Sequence, residues 1–265
     1  MARRDTYWAD RVLAQEAKAL ERSTKRTQEE LAAIYRQSAR EIRDEMLAVA
    51  SKVADAKAAG EQVLMNDYFR NNRYWRLLER LNGLLNDLGQ SQIEVTEPAL
   101  LALYDETVSL IDEQAPAALV NAAMLRPSAV DGRQALFQTW CLDGKSFSER
   151  VWEDKARMLV EFKKELERST IQGKSPWATA QDVADRLKVS ESNAYRLMRT
   201  ESAHAQIYAQ TQRYKELGYT RGRFHADASA CDECRAHDGQ EYTLEQMQTM
   251  IPVHPNCTCS YTPIR

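Results

Sequence analysis

Four of the five cysteines in this 265-residue chain fall in two short stretches near its end, CDECRAHDG (Cys231–Gly239) and HPNCTC (His254–Cys259). Thiols at this density suit four kinds of chemistry: soft-metal binding, redox exchange, a disulfide staple or nucleophilic attack. Cys231 and Cys234 form C-x2-C, a spacing that lets two thiolates reach one ion from a tight turn. His254 and Cys257 form H-x2-C, and Cys259 follows two residues later. Zinc takes four nitrogen or sulfur ligands in a tetrahedron. Two short ligand pairs separated by 19 residues suit a small closed site of that kind. Five donors stand ready for four positions, with His237 and His225 close by in sequence. The set Cys231, Cys234, His254, Cys257 is preferred to Cys231, Cys234, Cys257, Cys259, because C-x-C ligation of one ion is geometrically tighter.

The rival chemistries lack their companions. The opening MARRDTYWADRV has no apolar core of a secretory signal, and runs such as ALLALY are far too short to span a bilayer. A reducing cytoplasm is therefore expected, where clustered thiols hold metal more often than they pair. A redox C-x-x-C needs a βαβ setting, and a catalytic thiol needs a base and an oxyanion site; neither is visible. A zinc hydrolase would need an open metal position with Asp238 or Glu241 as general base. The expectation is a structural ion and no enzyme. Cys141, alone in TWCLDG, reads as a small buried apolar residue.

Energy points the same way. Residues 225–265 offer few large apolar groups, among them Tyr242, Leu244, Met247, Ile251 and Tyr261. So thin a unit needs a staple or support from a neighbour, and bound zinc supplies folding free energy directly.

The elements that must carry this tail are helical. Nine Gly and seven Pro are few for the length, which argues against a turn-rich β fold. Residues 5–58 read as one long helix or a broken pair: Leu31, Ile34, Tyr35, Ser38, Ile42, Met46, Val49 and Val53 recur at helical steps, and STKRTQ (Ser23–Gln28) is a possible break. Gly60 is the expected stop. Tyr74, Leu77, Leu78, Leu81, Leu84, Leu85 and Leu88 make the clearest apolar stripe, with Gly83 inside it and Gly89 ending it. A new helix is expected from Thr96 as N-cap, with Pro98 in its first turn. RPSAVDGR (Arg126–Arg133) reads as a loop, Ser146 with Glu149 as a capping box, and Ser175–Pro176 as the opening of the next helix. These stripes serve core packing, and the long ones also offer docking faces.

Residues 180–200, AQDVADRLKVSESNAYRLMRT, have the spacing of a helix-turn-helix. Val183, Ala184, Leu187, Val189, Ala194 and Leu197 would pack, Ser190 would cap the second helix, and Asn193, Arg196 and Arg199 would face a major groove. Residues 173–224 carry a net charge of +4, the most basic block in a chain whose total is −3. Against this, Lys188 stands where such turns hold glycine, and Glu191 faces where phosphate would lie. A zinc-stabilised DNA-binding protein is the second functional reading.

RTE (Arg199–Glu201), YKELGY (Tyr214–Tyr219) and the ordered run Cys231, Cys234, Asp238, Gly239, His254, Pro255, Asn256, Cys257, Cys259, Pro263 together resemble the C-terminal module of the phage head morphogenesis proteins, the Mu F-like minor capsid family. The opening YWADRVLAQEAKALERSTK is similar to the Tyr-Trp helical start of such proteins. The sharp motifs cover residues 199–263. The resemblance implies a minor head protein of the virion that binds the portal and capsid or scaffold protein during head morphogenesis. It also implies a part in DNA packaging or ejection, a place inside the head after assembly in the host cytoplasm, and no enzymatic activity. It moves RTE from a recognition helix to a connecting helix of the module. The expected fold is mainly α: an elongated helical docking region over 1–172, then a small α+β module over 173–265 with a zinc-stapled tail.

Overall fold

The structure is a computed structural model, and it describes residues 7–59, 73–124, 136–137, 140, 144–172 and 174–264. Gly60, the Arg126–Arg133 loop, Cys141 and the side chains of Val49 and Val53 lie outside the described residues. The described residues form seven helices and three short strands, the mainly helical fold with a small C-terminal sheet that was expected. The helices are α1 Tyr7–Ala58, α2 Arg73–Gln114, α3 Ala117–Met124, α4 Phe147–Ile171, α5 Pro176–Glu216, α6 Asp232–Ala236 and α7 Leu244–Met250. The strands are β1 Arg221–His225, β2 Glu241–Thr243 and β3 Ser260–Ile264, paired antiparallel in the order β2-β1-β3.

Three expected breaks are absent. α1 runs unbroken through STKRTQ. The hydroxyls there donate to backbone carbonyls a turn back, Thr24 to Leu20 at 2.8 Å and Thr27 to Ser23 at 2.9 Å, so the polar run stays helical. α2 runs through Gly89, Thr96 and Pro98. Thr96 is therefore no N-cap; it is fully buried inside the helix. Burial on both sides of Pro98, at Leu88, Gln92, Leu100 and Leu103, continues one stripe across it. Packing of that stripe offsets the lost backbone hydrogen bond. α5 passes straight through Lys188, and no turn divides residues 180–200. That segment holds no Gly or Pro and is rich in Ala, Leu, Arg and Lys, good helix formers. The two helix openings were legible. α4 starts directly after Ser146, and Ser175 Oγ accepts from the Ala178 N–H at 3.2 Å before Pro176 opens α5.

Gly89 has a packing role instead of a terminating one. A Cβ there would lie 2.8 Å from the Trp152 ring and 3.2 Å from Lys155 Cγ. Gly83, six residues earlier on the same helix, has nothing within 4 Å of such an atom. Opposite outcomes are expected from one chemical change. Gly83→Ala raises stability by about 0.5–1 kcal/mol through helix propensity. Gly89→Ala lowers it by about 1–2 kcal/mol, because overpacking against the indole outweighs that gain. Urea unfolding of the two variants checks the pair, and equal shifts would contradict the packing role of Gly89.

Contacts divide the chain into two compact units of interleaved segments, one of residues 1–28, 96–147 and 196–265, the other of 29–95 and 148–195.

In the second unit, Tyr35, Ile42, Leu77, Leu81, Leu85, Phe162, Val183 and Leu187 share one core. At its centre Lys155 is only 2% exposed. Its Nζ donates to Tyr35 OH at 2.5 Å and to Ser190 Oγ at 3.2 Å, and pairs with Asp154 at 3.3 Å.

In the first unit, the latter half of α5 is the central element. Every residue from Glu201 to Thr211 is buried, polar ones included. Each of several polar groups has a partner: Glu201 accepts from Trp140 Nε1 at 2.9 Å, Thr211 meets Tyr261 OH at 2.8 Å, and Arg213 holds Asp112 at 2.6 Å. Burial of so polar a helix is tolerable on those terms. The tail sheet joins the same core through Tyr261, Phe224 and Tyr214, together with Trp8 and Ile111. Gly222 faces Pro263 in the ladder, and a Cβ on it would lie 2.5 Å from the Tyr261 ring, so the strand needs glycine there. The 41-residue tail therefore has the neighbouring support that its thin core requires.

Candidate metal centre

The tail brings its ligands together from two turns. Cys231 is extended (φ −71°, ψ 171°) and caps α6, and Cys234 lies one turn into that helix. This is the turn that C-x2-C spacing suggests. Arg235 N–H bonds the Cys231 carbonyl at 2.9 Å and fixes the pair. β2 and α7 lead back to the second turn, α7 being started by a full capping box between Thr243 and Gln246. In the second turn, His254 to Cys259, the Cys257 N–H bonds the His254 carbonyl at 3.1 Å. Asn256 takes φ 64°, a left-handed conformation that Asn adopts more readily than most residues.

The five donors form two overlapping triads. Cys231, Cys234 and His254 have their ligand atoms within 4.8 Å of one another, and so do Cys234, Cys257 and Cys259. Cys234 belongs to both. His254 Nε2 lies 3.2 Å from the sulfurs of Cys231 and of Cys234, and the Cys234 and Cys257 sulfurs are 3.8 Å apart. A tetrahedral zinc with Zn–S near 2.3 Å and Zn–N near 2.0 Å places sulfurs about 3.8 Å apart and sulfur and nitrogen about 3.5 Å apart. The Cys234–Cys257 separation equals that spacing and the two sulfur–nitrogen separations are slightly shorter, while the preferred set of four spans the two triads instead of forming one group. None of the four cysteines is in a disulfide; Cys234, Cys257 and Cys259 are buried and Cys231 is exposed.

The histidine is oriented as a ligand needs. Its Nδ1 donates to the Pro255 carbonyl at 2.9 Å, which leaves the lone pair on Nε2, facing the thiols. The same carbonyl raises the His254 pKa. Among the sulfurs, charge is unevenly distributed. The Cys234 N–H holds the Cys231 thiol below its ordinary value, and the Cys259 side chain brings Cys257 down to about 5. Burial pushes Cys234 up to about 12, and the neighbouring Cys257 pushes Cys259 up as well. Sulfurs this close cannot all be anionic unaided. A divalent cation among them removes the conflict.

The other candidate ligands are elsewhere. His225 Nε2 meets Thr262 Oγ1 at 2.8 Å, and His237 Nδ1 meets Tyr242 OH at 2.8 Å. The carboxylates considered as general bases have structural partners: Asp238 accepts the Ala226 N–H at 2.9 Å, and Glu241 pairs with Arg223 at 2.8 Å.

The groove-reading set is not assembled. With α5 unbroken at Lys188 there is no recognition helix; Val189, expected to pack, is 59% exposed, and Ser190, expected to cap, is buried. Asn193 Nδ2 donates to Asp154 Oδ1 at 3.2 Å, while Arg196 and Arg199 are exposed on the helix.

One contact was missed in the sequence. Thr200 of the RTE step accepts the Asn256 N–H at 3.1 Å and donates to the Arg196 carbonyl at 2.7 Å. RTE and HPNC, with 52 residues between Glu201 and His254, thus meet through one hydroxyl. Their order along the chain was the available signal.

Residues 160–262 match the model of the family described as Phage Mu protein F like protein. The match takes in the end of α4, all of α5 and the whole Cys/His cluster, beginning 39 residues before the sharp motifs at 199–263 and ending one residue short of Pro263. Comparison with curated proteins and with solved structures gives no match.

Proposed function

We propose that this protein is a minor head protein of a phage virion, acting in head morphogenesis at the portal. The observation that carries the reading is the Mu F-like match over residues 160–262, which holds a Cys/His cluster of two triads sharing Cys234. In this reading residues 173–265 form the head-morphogenesis module, and residues 1–172 supply helical surface to the portal and to capsid or scaffold protein. The protein works in the host cytoplasm during assembly and remains inside the head near the portal, where it serves DNA packaging or ejection. No described helix is long and apolar enough to cross a membrane.

The ion is zinc, structural, held by Cys231, Cys234, His254 and Cys257. Soft thiolates with one imidazole select it. When bound it supplies cross-linking and charge balance, and the chain's own residues place the ligands: Pro255 sets the imidazole tautomer and Thr200 ties the second turn to α5.

The test is genetic and biochemical. Phage lacking the gene is expected to yield defective heads, and tagged protein from infected cells is expected to bring down the portal protein. Normal infectious heads from the deletion strain, with no trace of the protein in purified virions, would refute the reading.

A further inference from the structure

In the unit that carries the metal centre, the early turns of α1, the middle of α5 and the segment after β1 enclose a cleft of about 590 Å³. Glu16 lines it and is only 1% exposed. Its Oε2 accepts from Gln210 Nε2 at 2.5 Å, and Gln210 is held in turn by Ser260 Oγ at 3.0 Å. Its Oε1 is buried with no hydrogen-bond partner among the described residues. Buried acceptors without a donor are few in folded proteins, and each calls for a reason. The next amide on α5 does not supply the donor: Gln206 Nε2 is directed to the Glu16 backbone carbonyl at 2.8 Å.

The surroundings select the missing donor. Leu13, Ala17, Leu20 and Ala226 give the cleft apolar walls. Among charged groups lining it, Asp10 and Glu21 on α1 and Asp227 after β1 stand against Lys18 on α1 and Arg199 on α5. His225 also lines it, with its pKa lowered by burial. With Glu16 ionised, carboxylates outnumber cations. A hard metal ion needs about six oxygen ligands, and among the described residues the carboxylates of this cleft form no group of three close enough to share one ion. A guanidinium fork wants two acceptors side by side, and Oε2 is already taken. An ammonium is a compact donor that one oxygen satisfies.

We propose that this cleft binds a primary alkylammonium group, its N–H donated to Glu16 Oε1 and its alkyl stem laid along Leu13, Ala17 and Leu20. Burial pushes the Glu16 carboxyl up to about 8. Below that pH the carboxyl is neutral, so each ammonium that binds expels one proton from Glu16 to solvent. Affinity then falls up to tenfold per pH unit of acidification.

The free amine and the lysyl side chain of a protein segment share this chemistry. Isothermal titration of the full zinc-loaded chain with n-pentylamine, and separately with N-acetyl-lysine methylamide, tests the site and tells the sources apart. Saturable one-to-one binding is expected, at least tenfold tighter at pH 8.5 than at pH 6.5. Tighter pentylamine binding assigns the site to a free amine, and tighter binding of the blocked lysine assigns it to a protein side chain. Glu16→Gln should weaken binding at least tenfold at pH 8.5. Ala17→Leu, an exposed helical position that keeps the carboxyl and narrows the cleft, should also weaken it. The proposal is overturned if neither probe binds saturably at millimolar concentration. It is equally overturned if Ala17→Leu and the change of pH leave affinity unchanged, or if a folded Glu16→Gln chain binds as the native chain does.

Discussion

Cys234→Ala is expected to lose its zinc and to unfold the tail from β1 onward, while the helical remainder keeps most of its structure. Cys234 is the one donor common to both ligand triads, it is fully buried, and its sulfur lies against His254 and Cys257. Both candidate ligand sets, with His254 or all-thiolate, include it. Structural zinc contributes about 10–16 kcal/mol in small peptides that have little else to hold them. Here the tail also shares a core with Trp8, Ile111 and Tyr214. A loss on the order of 5 kcal/mol, still exceptional for one substitution, is the expected cost. Metal content per chain and hydrogen-exchange protection of β1 to β3 are the measurements. A Cys234→Ala chain that retains one zinc with a protected sheet would sink the metal-centre reading. The same assay settles the ligand set: Cys259→Ala should keep the ion and His254→Ala should lose it, and the reverse pattern would establish the all-thiolate set. Chelator treatment of the native chain should reproduce the Cys234→Ala exchange pattern, because in both the ion is what has been removed.

How much of this was legible depended on the range of the interaction. C-x2-C and H-x2-C imply their turns locally, so the cluster could be read from spacing, and the helix starts after Ser146 and Ser175 could be read from caps. The stops could not. Gly89, Pro98 and Lys188 are each local reasons to end or bend a helix, and each is overridden by packing partners remote in sequence. Gly89 makes room for Trp152, and the stripe across Pro98 is buried on both sides. Residue 190 is a clear case. As a sequence letter Ser190 suits an N-cap, but its hydroxyl bonds Lys155 and Asp154, more than 30 residues away. The enclosed half of α5 was invisible for the same reason. Glu201, Gln206, Gln210 and Arg213 look like a solvated face until Trp140, Glu16, Ser260 and Asp112 are placed around them. The contact of RTE with HPNC through Thr200 is of the same kind, since the motifs give an order along the chain and no contact.

Lys155→Ala is expected to destabilise the second unit by about 3–5 kcal/mol, the usual cost of breaking a buried ion pair by removing one partner. The ammonium is enclosed by Tyr35, Ser190 and Asp154, and it also lies 4.8 Å from the Tyr35 ring centroid. Without it, the Asp154 carboxylate keeps only Ser190 at 2.5 Å and Asn193 at 3.2 Å as neutral donors. Replacing both charges, as Lys155→Met with Asp154→Leu, should recover most of the loss, since the penalty arises chiefly from the charge left behind. The pH dependence has a definite sign. Burial lowers the Lys155 pKa from its ordinary 10.5, so between the two values the unfolded chain binds more protons than the folded one. Native stability should therefore rise as pH climbs into that alkaline window, and this rise should vanish in Lys155→Ala. Tyr35, pushed up from 10.0 by the same burial, works in the opposite direction and only above that value. Urea unfolding across neutral to alkaline pH measures both effects. A Lys155→Ala chain within 1 kcal/mol of native, with an unchanged alkaline slope, would show that the network at the centre of this unit does not hold its helices in register.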